Sequence, residues 1–159
     1  MEYLEGGDLR SYMGENKKIR QRVIISIIYG ILKGLQGLEK QGILQRDIKP
    51  SNIMLRKTVD ICDDDIVIVD LGLAALISYN EPLFKRCGTL GYIAPEIVKI
   101  SNAEDCYKVC TYRDVYSAGI IMYSLFTGKI LFDKPEYDTK TIVEKTINRW
   151  LNILRKYLS

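Results

Sequence analysis

Gln45-Arg46-Asp47-Ile48-Lys49-Pro50-Ser51-Asn52, followed downstream by Asp70-Leu71-Gly72, is the stretch on which the reading of this chain turns. Arg-Asp-x-Lys-Pro-x-Asn fixes five residues. In a chain of 159 residues it arises by chance with a probability on the order of 10⁻⁴ or less at average residue usage. Upstream, Ile19, Val23, Ile27, Ile31, Leu35 and Leu38 recur every three or four residues from Lys17 to Gln41, which predicts a long buried helix ended by Gly42. Before it, Gly6-Gly7-Asp8 breaks the chain, and Asp8 is placed to cap a short helix running to about Tyr12.

Downstream, Ile53-Met54-Leu55 and Ile66-Val67-Ile68-Val69 are short apolar runs around a polar connection containing Asp63, Asp64 and Asp65, the pattern of a small β-hairpin. From Gly72 to Glu96 periodicity is weak and glycines and prolines intervene, as in a long loop. Helical patterning returns at Asp114 to Phe126 and from about Thr139 to Tyr157. The sum is an α+β chain, mainly helical, with one hairpin.

The residue types in the opening stretch suit one chemistry. Moving a phosphoryl group requires a positioned hydroxyl, held magnesium ions and neutralised oxygen charge. Asp47 can orient the hydroxyl and accept its proton, and Lys49 can contact the transferred phosphate. Asn52 and Asp70 supply the oxygen ligands that a hard cation prefers. With no histidine in the sequence, mechanisms that need an imidazole are excluded and acid–base work falls to a carboxylate.

Composition sets the outer bounds. One domain with an ordinary core fits 159 residues of which 47% are apolar and 27% charged. The net charge of +3 is spread thinly, with no basic tract flanked by aromatics, so no nucleic-acid partner is expected. Val23 to Leu32 is the longest near-continuous apolar run, too short for a membrane span, and no signal peptide is visible, so a cytoplasmic address is expected by default. Cys62, Cys87, Cys106 and Cys110 are irregularly spaced and read as idle or buried thiols rather than zinc ligands.

Several collinear motifs resemble the eukaryotic protein kinases of the serine/threonine type. Besides the two motifs above, Cys87-Gly88-Thr89-Leu90-Gly91-Tyr92-Ile93-Ala94-Pro95-Glu96 is similar to the family's substrate-docking loop, with Gly88 and Thr89 facing the substrate and Glu96 a structural residue. Asp114-Val115-Tyr116-Ser117-Ala118-Gly119 resembles the start of the family's central helix, whose Asp braces the catalytic loop. Met1 to Leu9 is similar to the hinge between the two lobes.

The resemblance implies a C-terminal lobe with the N-lobe absent: hinge 1–9, then lobe 10–159, truncated at its C-terminal end. It implies ATP and Mg²⁺ as cofactors and a protein substrate offering a Ser or Thr hydroxyl, with any regulatory partner unknown. Asp47 and Lys49 would be catalytic, and Asn52 and Asp70 metal ligands. Glu2, Leu4, Asp8, Met54 and Val69 would line the ATP site, Arg46 would receive an activating phosphate, and Lys49-Pro50 with Thr89 mark serine/threonine specificity. Two positions depart from the family: Gln45 stands where His is usual and Leu71 where Phe is usual, both in a stack expected to be buried. The common phosphorylation position is Lys85, so activity is expected not to need a phosphate there, with Ser78 and Tyr79 nearby. As an isolated lobe the chain is expected to be weakly active or inactive; the alternative is a kinase-like binding module without catalysis.

Overall fold

A computed structural model describes residues 3–16, 18–77, 87–95, 97 and 112–131. The expected helix from about Thr139 to Tyr157, together with Glu2, Ser78, Tyr79, Lys85, Glu96, Cys106 and Cys110, lies outside these residues.

Asp8 stops the entering chain and starts α1, Leu9–Glu15: its Oδ1 accepts the Ser11 N–H at 2.9 Å and its Oδ2 the Ser11 hydroxyl at 2.9 Å. α2 spans Gln21–Lys40 and buries Ile24, Ile27, Ile31 and Leu35, one face at helical spacing. These side chains meet Leu9, Ile53, Leu55, Ile61 and, from α3 (Tyr112–Thr127), Ala118, Ile121 and Leu125 in one core. Each aliphatic side chain fully withdrawn from water there contributes about 1.5–3 kcal/mol.

β1 (Ile43–Leu44) follows α2, β2 (Ile53–Leu55) and β3 (Ile66–Ile68) pair antiparallel with Met54 opposite Val67, and β4 is Ala75–Leu76. Between β2 and β3, Lys33 of α2 reaches Asp63 at 3.1 Å and Asp64 at 2.7 Å, fixing the connection to the helix. The expectation of a single hairpin is corrected: among the described residues there are two antiparallel two-stranded sheets, β2–β3 and β1–β4, the latter pairing Ile43 with Leu76 and Leu44 with Ala75. Two-residue strands carry no alternation to read, and their partners lie far apart in sequence, so only the folded chain creates the pairing. The stretch after Gly72 is accordingly not wholly loop. Leu71 is also corrected, being 50% exposed rather than stacked in the interior.

Among the described residues no helix is long and apolar enough to cross a membrane. None of their buried side-chain nitrogens or oxygens lacks a hydrogen-bond partner.

Candidate active site

The loop from Gln45 to Lys49 leaves β1 and enters a 3₁₀ turn, Pro50–Asn52, that leads directly into β2. Ile48, 1% exposed, anchors the loop in the core. Its neighbours Asp47 and Lys49 leave the backbone on the other side, as alternation in an extended segment requires. They meet there: Lys49 Nζ donates to Asp47 Oδ2 at 2.7 Å.

Two further residues close the cluster. Thr89 donates its hydroxyl to Asp47 Oδ1 at 2.7 Å and accepts from Lys49 Nζ at 3.0 Å. Asn52 Nδ2 donates to the Asp47 carbonyl at 3.0 Å and to its Oδ2 at 3.2 Å. Burial pushes the Asp47 carboxyl up, but Lys49, Thr89 and Asn52 together outweigh it and hold the group below its ordinary value. Asp47 is therefore a carboxylate at neutral pH, and Oδ1, with one acceptor site used by Thr89, has capacity for another donor.

Asp70 joins this cluster through its backbone. Gln45 is 0% exposed; its Nε2 donates to the Asp70 carbonyl at 2.9 Å and its Oε1 accepts the Asp47 N–H at 2.6 Å. The substituted Gln thus meets the cost of burial with one bond at each end of its amide. Next to it, Val69 N–H donates to the Asn52 carbonyl at 3.0 Å, which sets Asp70 beside the Asn52 strand. Asp70 has φ 60°, a left-handed conformation that costs a non-glycine residue about 1–2 kcal/mol, and its Oδ1 takes the Gly72 N–H at 3.1 Å. Asn52 and Asp70 offer an amide oxygen and a carboxylate. Among the described residues no larger cluster of acidic or thiol ligands occurs. Such a sparse, all-oxygen set suits magnesium, which fills its shell with water and phosphate.

Arg46 has φ 68°, and its peptide N–H donates to Asp114 Oδ1 at 3.0 Å while that of Gln45 donates to Oδ2 at 2.9 Å. Burial pushes the Asp114 carboxyl up; the two N–H donors and the charges of Arg113 and Arg46 offset this only in part. The Arg46 side chain lies on main-chain carbonyls, Nε on Leu73 at 2.5 Å and Nη2 on Ala74 at 3.5 Å.

The remaining expected residues lie along β2. Leu4 accepts the Gly7 N–H at 3.4 Å, and Gly6 and Gly7 exchange backbone bonds with Leu55. Asp8 bridges to Met54, and Met54 and Val69 are half-buried. Gly88, at φ 117°, sits where a Cβ would come within 2.9 Å of the Arg46 carbonyl, so only glycine permits this approach. Sequence reasoning overlooked Arg113, which is buried at the start of α3. Its only sequence signal is a charge immediately ahead of Asp114 at the start of an apolar helix.

Comparison with known proteins agrees with the motifs. A model of the protein kinase domain matches residues 1–157. The chain is 35% identical over 133 residues to "Serine/threonine-protein kinase cds1" of Schizosaccharomyces pombe, covering 83% of this chain and 28% of that protein. It is 34% identical over 129 residues to "Probable serine/threonine-protein kinase 2" of Plasmodium falciparum, covering 80% of this chain and 23% of that protein. It is 27% identical over 162 residues to the human "Hormonally up-regulated neu tumor-associated kinase", covering 100% of this chain and 21% of that protein. The chain therefore spans about a quarter of the length of these relatives. The domain match starts at the first residue, and with two small sheets in place of one hairpin it overturns the expected fold class of a C-terminal lobe with the N-lobe absent.

Proposed function

The chain belongs to the eukaryotic serine/threonine protein kinase family, and on that premise we propose that it transfers the γ-phosphate of ATP to a serine or threonine hydroxyl of a protein substrate. One observation carries this reading: Asp47, Lys49 and Asn52 of one loop share a hydrogen-bonded cluster with Thr89, which lies far along the chain.

Asp47, held ionised, accepts the incoming hydroxyl at Oδ1 and directs its oxygen lone pair toward the phosphorus. Because its basicity is depressed, it orients the hydroxyl and takes the proton only as the new O–P bond forms and the bond from the γ-phosphorus to the departing ADP oxygen breaks. Lys49, already beside Asp47, places a positive charge where the transferred oxygens gather theirs. Thr89 ties both residues to the substrate-side loop, so the acceptor hydroxyl and the catalytic pair share one frame. Asn52 spends its amide nitrogen on Asp47, which leaves Oδ1 to face a cation together with the Asp70 carboxylate. Mg²⁺ held there would neutralise phosphate charge.

Leu4, Met54 and Val69, with Glu2, are proposed to receive the adenine and Asp8 the ribose. Asp8 would share its carboxylate with the Ser11 cap. Arg46 already satisfies two carbonyls, which supports activity without a phosphate docked upon it.

The test is magnesium-dependent transfer from ATP to a serine peptide by wild type and Asp47→Asn. Loss of the carboxylate is expected to lower kcat about a hundredfold or more. Equal rates would remove Asp47 from the chemistry and the proposal with it.

A further inference from the structure

Arg113, the residue before Asp114 near the start of α3, is only 4% exposed, yet the chemistry above makes no use of it. Its Nη2 lies 2.7 Å from the Cys87 carbonyl, 3.4 Å from the Arg46 carbonyl and 3.8 Å from Cys87 Sγ. A single buried guanidinium thus touches both the loop that bears Asp47 and the segment that bears Thr89.

The Arg46 peptide is gripped on both sides. Asp114 takes its N–H and Arg113 donates to its carbonyl, while Gly88 presses against that same oxygen. This grip coincides with the left-handed φ of 68° at Arg46, a conformation that persists only when its surroundings over-determine it. Nearby, Ser117 of α3 donates to the Tyr92 carbonyl at 2.7 Å, so the segment is fastened at its far end as well. At its near end Arg113 is the fastening.

We propose that Arg113 is a positioning residue for phosphotransfer: by joining the carbonyls of Cys87 and Arg46 it locks Cys87-Gly88-Thr89 onto the catalytic loop and so sets the Thr89 hydroxyl between Asp47 and Lys49. The proposal rests on the kinase reading given above. A guanidinium withdrawn from water is costly unless its donors are used, and the two N–H bonds of Nη2, held in the guanidinium plane, serve both carbonyls from one nitrogen. Lysine carries enough N–H bonds on its one nitrogen, but a flexible stem does not hold them in a fixed plane, so it reproduces the two contacts only in part. If Arg113 acts through Thr89, removing either residue releases the same constraint, and removing both releases it no further.

The experiment uses the full chain and two readouts. Peptide phosphorylation is measured for wild type, Arg113→Met, Arg113→Lys, Thr89→Val and the double variant Arg113→Met/Thr89→Val. In parallel, alkylation of Cys87 by iodoacetamide is followed by peptide mass spectrometry, with the exposed Cys62 as internal reference. Arg113→Met is expected to lower kcat about ten- to a hundredfold, the scale of one lost charge-assisted hydrogen bond, with little change in the KM for ATP. Arg113→Lys should fall between it and wild type, and the double variant should match Thr89→Val alone. Cys87 should react faster, relative to Cys62, in both Arg113 variants.

Multiplicative losses in the double variant would overturn the proposal, as would wild-type kcat in Arg113→Met. Should Arg113→Met fail to fold, Arg113→Lys decides through the labelling ratio: an unchanged ratio overturns the tether. A wild type that transfers no phosphate would refute the kinase reading instead, and the labelling would still judge whether Arg113 holds the segment.

Discussion

Replacing one glycine of α2 by alanine should destabilise the protein, while the same replacement two turns further along the same helix should stabilise it. Within a helix, Gly→Ala is worth about 1 kcal/mol in favour of alanine, because less backbone freedom is lost on folding. At Gly37 a new Cβ would meet nothing within 4 Å, so that gain stands. At Gly30 the Cβ would lie 2.6 Å from the Asp63 carbonyl oxygen and 2.6 Å from both Cβ and Cγ1 of Ile66. These atoms belong to backbone and to the stem of a β-branched side chain, neither of which can swing away. Helix α2 and β3 must separate, and overpacking of this kind costs about 1–3 kcal/mol.

With the upper end of that cost set against the propensity gain, Gly30→Ala should lose about 2 kcal/mol, which in a chain of this size lowers Tm by about 4–8 °C. Gly37→Ala should raise it by about 2–4 °C. Gly34→Ala, whose Cβ would meet the terminal Cδ1 of Ile68 at 2.9 Å and its Cγ1 at 3.2 Å, should come out near wild type. Thermal unfolding followed by circular dichroism at 222 nm reads all three. A Tm for Gly30→Ala equal to or above wild type would show that α2 and β3 do not approach as described. The consequence reaches the active site, since β3 runs directly into Val69 and Asp70.

Two other expectations concern buried carboxylates. Asp114→Asn keeps one acceptor but turns an NH₂ toward one of the two N–H groups of Gln45 and Arg46, leaving it unsatisfied at about 1–3 kcal/mol; urea unfolding should show that loss together with reduced phosphotransfer, and unchanged values of both would refute the bracing role. For Asp65, burial pushes the carboxyl up but the Cys62 N–H and thiol and the Lys57 ammonium outweigh it, so the folded value lies below the unfolded 3.8. Its contribution is then complete above that value and lost as pH falls through the lower, folded one, so the urea midpoint of wild type should exceed that of Asp65→Asn by a constant margin near neutrality and converge with it below 3.8. A margin that widened on acidification would reverse the sign.

Residue order alone determined the parts of this protein that depend on local rules. The period of the apolar residues located α2, and within it Ile27, Ile31 and Leu35 are buried as expected, because helical spacing and burial are the same constraint seen twice. Asp8 announced the start of α1 because a short acceptor side chain ahead of a helix satisfies its free N–H groups. The motif around Asp47 and the one at Asp70 marked the candidate site, since the chemistry narrows the usable residue types. Tertiary structure decided what depends on residues far apart in sequence. The β1–β4 pairing, the outward turn of Leu71, the Gln45 bridge from Asp47 to Asp70, and the placing of Arg113 between two carbonyls all require segments that no spacing rule connects. Hydrogen bonds and close packing act through a few ångströms of space, and which atoms come that close is settled only when the chain has folded.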